Sequence, residues 1–105
     1  MIFFLRSSAF NFVDIICVGI LVADVLGKPV DSFPEKGKLG LVDKMSLQIG
    51  GCAANVAIDL AKLGFKTTII GKIGDDNFGK FMLESLNSEK VDVTGLKIDK
   101  NVSSS

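Results

Sequence analysis

The sequence has no histidine, tryptophan or tyrosine, and only two cysteines and two prolines in 105 residues. Without histidine, the side chain that most often moves protons or binds zinc at neutral pH is excluded. Cys17 and Cys52 lie far apart in apolar settings. Neither a disulfide framework nor a zinc cluster is indicated, and both read as small buried hydrophobes of a reducing cytosol. An excess of one charge is also lacking, since twelve Lys and Arg balance twelve Asp and Glu. A chain without a basic surplus has no electrostatic footprint for nucleic acid or an anionic membrane. Long apolar runs are missing too. Val13 to Leu26 carries Asp14 and Asp24 and falls short of the about 20 residues of a membrane span. In MIFFLRSSAFNF the basic Arg6 follows the apolar run instead of preceding it, which is not the order of a signal peptide. Residues 1–12 are expected to be a disordered extension. The three closing serines follow a strand-like segment and read as a chain cut short.

What is present is an ordinary globular balance, 48% apolar and 23% charged, enough for one domain or part of one. Val13 to Gly19, VDIICVG, is a β-branched apolar run of the kind buried on both faces in a parallel sheet. A turn-rich patch with Pro29, Pro34, Gly37 and Gly40 follows. Residues 38–49 alternate, with Leu39, Leu41, Met45, Leu47 and Ile49 on one face and Lys38, Lys44, Ser46 and Gln48 on the other. That predicts a long strand with one apolar face that needs a cover. Ala53 to Leu63 changes to helical spacing, with Gly64 as its terminator. Phe65 to Ile73 predicts a strand. Asp75 or Asp76 then caps a second helix whose apolar face is Phe78, Phe81, Met82 and Leu86. Val91 to Lys100 predicts a last short strand or two. The order is that of βαβ units and a parallel sheet.

The glycines of QIGGCAANVAIDLAKLG, Gln48 to Gly64, pose the functional question. Gly50 and Gly51 open the helix, where a ligand can approach bare backbone and free N–H groups. Asn55 lies in the first turn and can both donate and accept, which suits a polyhydroxylated ligand. A tight strand-to-helix turn, with Asn55 bonded to its own backbone, accounts for the same residues. Asp24 follows the first strand, where α/β sheets usually bind ligands, and also reads as a solvated loop acid. Neither a dinucleotide fingerprint nor a phosphate-binding loop is present. Gly71-Lys72-Ile73-Gly74 mimics the loop of RNA-binding KH domains, but a strand precedes it and Asp75-Asp76 would repel phosphate.

The segment Gly50 to Gly79 resembles the N-terminal signature of PfkB-type, ribokinase-like carbohydrate kinases. It supplies Gly50-Gly51, Asn55-Val56-Ala57, Leu63-Gly64, Gly71, Gly74, Asp76 and Phe78-Gly79 in the family's order. The strand ICVG, Asp24, Phe33-Pro34 and Gly37 fit the family's opening, so the resemblance covers about residues 13–105. It implies an α/β fold with a Rossmann-type parallel sheet and a β-lid, here its N-terminal part only, with lid strands at about 28–49. It implies a sugar kinase that uses ATP and Mg2+, in the cytoplasm, with a possible homodimer through the lid. A nucleoside kinase of the same family and a non-catalytic sugar-binding or dimerising fragment are the alternatives. Asp24, Gly50, Gly51 and Asn55 correspond to substrate-binding positions. Val22 stands where ribokinases proper tend to carry a sugar-contacting asparagine. The family's catalytic aspartate lies in a Gly-x-Gly-Asp motif, which does not occur in these residues. The chain alone is therefore expected to hold half a sugar site and no phosphoryl-transfer site.

Overall fold

The structure, a computed structural model, describes residues 2–4, 13–29 and 31–104. Its elements are β1 (Ile2–Phe4), β2 (Ile15–Val18), β3 (Val22–Lys28), β4 (Lys44–Gly50), α1 (Cys52–Lys62), β5 (Thr67–Gly74), α2 (Asn77–Ser88) and β6 (Leu96–Asp99). Four strands form one sheet in the order β1-β2-β5-β6, and β3 and β4 form a separate two-stranded ribbon. β2 runs parallel to β5 with Cys17 opposite Ile69, and β5 runs parallel to β6 with Ile73 opposite Ile98. β1 joins antiparallel to β2. Ile2–Phe4 is thus a strand, a departure from the expected disordered extension over 1–12. Residues 5–12 lie outside the described residues.

The core follows from alternation on the strands and helical spacing above them. Ile15, Cys17, Ile69 and Ile73 present one sheet face, and Ala53, Ala54, Ala57, Ile58, Met82 and Leu86 cover it from α1 and α2. Three alanines on α1 let its backbone lie close to the sheet. Each large aliphatic side chain buried in this layer contributes about 1.5–3 kcal/mol. Thr67 is tolerated in the core because its hydroxyl donates to the Ala57 carbonyl at 3.1 Å.

Helix ends carry their own signals. Gly64 has φ 97° after the Leu63 cap. Its N–H bonds Ala61 O at 3.0 Å, and Phe65 N–H bonds Leu60 O at 3.1 Å, the paired closure of a Schellman motif. At α2 the N-cap is Asp76, which accepts from Gly79 N–H at 2.8 Å. Of its expected apolar face, Met82 and Leu86 are buried and Phe81 packs on the core, whereas Phe78 is 41% exposed. Phe78 sits in the first turn of α2, at the edge of the layer.

The lid differs most from expectation. β4 begins at Lys44, not at 38, and residues 38–43 lie outside any strand. Leu39 and Leu41 extend into solvent, 96% and 97% exposed. The ribbon's first strand is Val22–Lys28, ahead of the expected lid boundary near 28. β3 and β4 pair antiparallel with Val22 opposite Gly50, Asp24 opposite Gln48 and Leu26 opposite Ser46. Asp24 is therefore a lid-strand residue, not a loop acid.

Candidate functional site at the mouth of helix α1

Paired residues of an antiparallel ribbon point to the same side. One side of β3–β4 therefore carries Val22, Asp24, Gln48, Ser46 and Gly50, and the other carries Ala23, Val25, Met45, Leu47 and Ile49. At the ribbon's base Ala23 and Ile49 pack against the core. This anchoring brings the end of β4 to the first turn of α1, and Asp24 comes with it.

Gly50 and Gly51 form the floor. A Cβ at Gly50 would lie 2.5 Å from Asp24 Oδ2, so the carboxylate rests directly over bare backbone. Gly51 is the N-cap residue of α1 with φ 92°, a conformation that glycine adopts without steric cost. A Cβ there would run into the Ile20 carbonyl oxygen. That carbonyl is already engaged, accepting from Ala53 N–H at 3.3 Å and so tying α1 to the segment after β2.

Asn55 is exposed on the first turn, and its backbone N–H bonds Gly51 O at 3.0 Å. Its side chain makes none of the described hydrogen bonds, in contrast to the self-bonded turn considered above. It lines a groove of about 410 Å³ between β4, α1 and α2, together with Leu47, Gln48, Ile49, Lys62 and Phe81. That volume suits a small polar molecule. Lys62 and Glu89 approach to 4.0 Å across the two helices in this groove. The structure thus gathers Asp24, Gly50 and Gly51 at one point and sets Asn55 in the adjoining groove. The groove's polar wall residues on β4, Asp59 and Glu89 were not singled out from sequence. On exposed helix and strand faces they look like ordinary solvated positions.

Cys52 occupies the first helical position and is exposed, contrary to the expectation of a buried thiol. Hydrogen bonding with the Ile20 backbone holds its pKa below the ordinary thiol value. Cys17 is buried, as expected, and burial pushes its thiol up. Among the described residues no group of three or more His, Cys, Asp or Glu could hold a metal ion. No described helix is long and apolar enough to cross a membrane.

The profile of the pfkB family carbohydrate kinases matches residues 13–105. The fructokinase of Klebsiella pneumoniae is 48% identical over 50 residues, 48% of this chain and 16% of that protein. The crystal structure of the fructokinase of Xylella fastidiosa with bound ATP superposes with a TM-score of 0.70 at 28% identity, over 85% of this chain and 26% of that one. The aminoimidazole riboside kinase of Salmonella enterica, complexed with aminoimidazole riboside and an ATP analogue, gives 0.67 at 27% identity over 84% and 26%. The chain spans 21% and 16% of the lengths of the first two curated relatives it matches. Its sheet, helices and ribbon correspond to the N-terminal part of the ribokinase-like α/β fold. From the matched profile and the shared fold together, the chain belongs to the pfkB family of carbohydrate kinases.

Proposed function

We propose that this chain supplies the acceptor half of a kinase that transfers the γ-phosphoryl group of ATP to a carbohydrate hydroxyl. The observation that carries the reading is the Asp24 carboxylate resting on the bare backbone of Gly50, next to Gly51 at the mouth of α1. Asp24 accepts hydrogen bonds from sugar hydroxyls. Gly50 and Gly51 let the ring lie against the main chain, and Asn55 both donates and accepts from the groove. Similarity to fructokinases supports a hexose acceptor. The likeness to a riboside kinase favours a ribosyl nucleoside as the second reading. ATP and Mg2+ belong with a Gly-x-Gly-Asp segment that these residues do not contain, so the 105 residues by themselves bind the acceptor without turning it over. Exposed Val25, Met45 and Leu47 on the ribbon's apolar side support pairing of two copies through the lid. Sedimentation velocity over a concentration series checks that pairing, and a monomer throughout removes it.

Calorimetric titration of the chain with D-fructose and with adenosine tests the acceptor site. Saturable binding is expected, weakened by about 1–3 kcal/mol in Asn55→Ala. Unchanged affinity in Asp24→Asn would sink the assignment, and unchanged affinity in Asn55→Ala would remove that residue from it. Sequencing the coding DNA past Ser105 tests the catalytic half. A frame that continues to a Gly-x-Gly-Asp predicts sugar-dependent ADP release by the longer product. A stop there leaves a sugar-binding module.

A further inference from the structure

We propose that Gln48 is a third acceptor contact, one that makes the site selective for carbohydrates with vicinal hydroxyls. The inference rests on the reading of Asp24 and Asn55 as acceptor contacts. Gln48 is the direct cross-strand partner of Asp24, which sets the two side-chain bases about 5 Å apart on one side of the ribbon. It also lines the groove that holds Asn55. Gln48 thus shares Asp24's side of the ribbon and borders the groove that Asn55 lines. It is exposed, and none of the described hydrogen bonds engages its amide. Two residues further along the same side, Gly50 has no side chain, and the Asp24 carboxylate rests against its bare backbone.

The chemistry of the pair is complementary. A carboxylate only accepts, so Asp24 accepts hydrogen bonds from hydroxyls but leaves their oxygens unmet. The carboxamide of Gln48 donates two N–H bonds and accepts two more. A vicinal diol presents donors and acceptors on adjacent carbons, so Asp24 can accept hydrogen bonds from its hydroxyls while Gln48 donates to an oxygen. An analogue missing one of those hydroxyls leaves the amide unpaired, which is how a polar site rejects a near-isostere.

The test titrates the 105-residue chain, its Gln48→Leu and its Asp24→Asn with D-fructose, 3-deoxy-D-fructose and 4-deoxy-D-fructose by amide-shift NMR. Leucine keeps the volume without the hydrogen bonds, and the position is exposed, so the variant folds. Gln48→Leu is expected to bind D-fructose about five- to tenfold more weakly. It is expected to bind at least one deoxy sugar as well as the unmodified chain does. Equal affinity of Gln48→Leu for D-fructose overturns the proposal, and so does an equal loss for all three sugars. Asp24→Asn separates the two levels: if it binds D-fructose normally, the acceptor-site reading itself fails. If the unmodified chain binds none of the three saturably, both fail.

Discussion

Lys90 holds φ 61°, the left-handed conformation that side chains with a Cβ rarely adopt. It follows Glu89, the C-cap of α2, and closes the helix by the same paired bonds as Gly64 closes α1, with Lys90 N–H to Asn87 O at 3.0 Å and Val91 N–H to Leu86 O at 3.1 Å. Lys90→Gly is expected to raise the unfolding free energy by about 1 kcal/mol, read as a higher urea midpoint at unchanged slope. At the other end of α2, Asp76 Oδ1 accepts from Gly79 N–H and Oδ2 from Ser104 N–H at 2.7 Å. The Gly79 bond first, then those from Ser104, hold its carboxyl below the usual range. A folded pKa below the unfolded one adds stability that is present above the unfolded value, about 3.9, and is lost as pH falls through the folded value. Asp92, bonded by Thr94 N–H, and Asp99, bonded chiefly by Lys72, shift the same way. Stability against denaturant is therefore expected to fall as the pH is lowered from about 5, over the range in which carboxylates protonate. Asp76→Asn keeps an N-cap acceptor and removes the charge, so it should flatten that dependence. A variant as acid-sensitive as the parent would contradict this. An aspartate cap was legible in sequence as Asp75 or Asp76, from residue type and place before a periodic run, and the bond from Gly79 N–H identifies Asp76. Lys90 was not, because nothing in a lysine marks a left-handed backbone.

Among the elements, α1 and its two glycine ends show how similar dihedrals carry different consequences. Gly51 and Gly64 have φ 92° and 97°. A Cβ at Gly51 meets the Ile20 carbonyl, whereas one at Gly64 meets nothing within 4 Å. Gly64→Ala should cost about 1 kcal/mol, from backbone conformation alone. Gly51→Ala adds a backbone clash that must shift the start of α1 or the segment after β2, and should cost about 3 kcal/mol or more. Thermal melts of the two variants check the difference, and equal losses would mean the close approach at Ile20 carries no weight. The helices and β5 were readable because their periodicity is local. β4 lies almost wholly within the expected strand over 38–49, but β3 was not readable, since VADVLGK reads as a departure from β2 until KMSLQIG supplies its hydrogen-bonding partner. The expected strand over 38–43 failed for the same reason. Alternation was present, but no described strand pairs with those residues.

At the scale of the whole chain the layer is thin and the shape open. The radius of gyration is 16.7 Å, against about 13 Å for a compact chain of this length. The accessible surface is 7649 Å², well above the about 5,700 Å² expected for this mass. The projecting ribbon accounts for part of this, and the sheet face that carries Ile70, 44% exposed, adds to it. Burial still sorts the thiols. Under native conditions Cys52 should be alkylated by iodoacetamide much faster than Cys17, because it is exposed and its thiolate is favoured while Cys17 is enclosed and its thiol raised. Mass spectrometry of tryptic peptides checks this, and equal native rates would mean the sheet opens readily around β2. The family, the run from α1 to α2 and the Gly50-Gly51 turn into α1 were determined by the sequence itself, since each rests on spacing within a few residues. Only the tertiary structure decided that Asp24 stands on a lid strand opposite Gln48 and over Gly50, with Asn55 in the neighbouring groove. Those relations depend on which distant strand completes the ribbon's hydrogen bonds and on which side of the pleat each residue then falls.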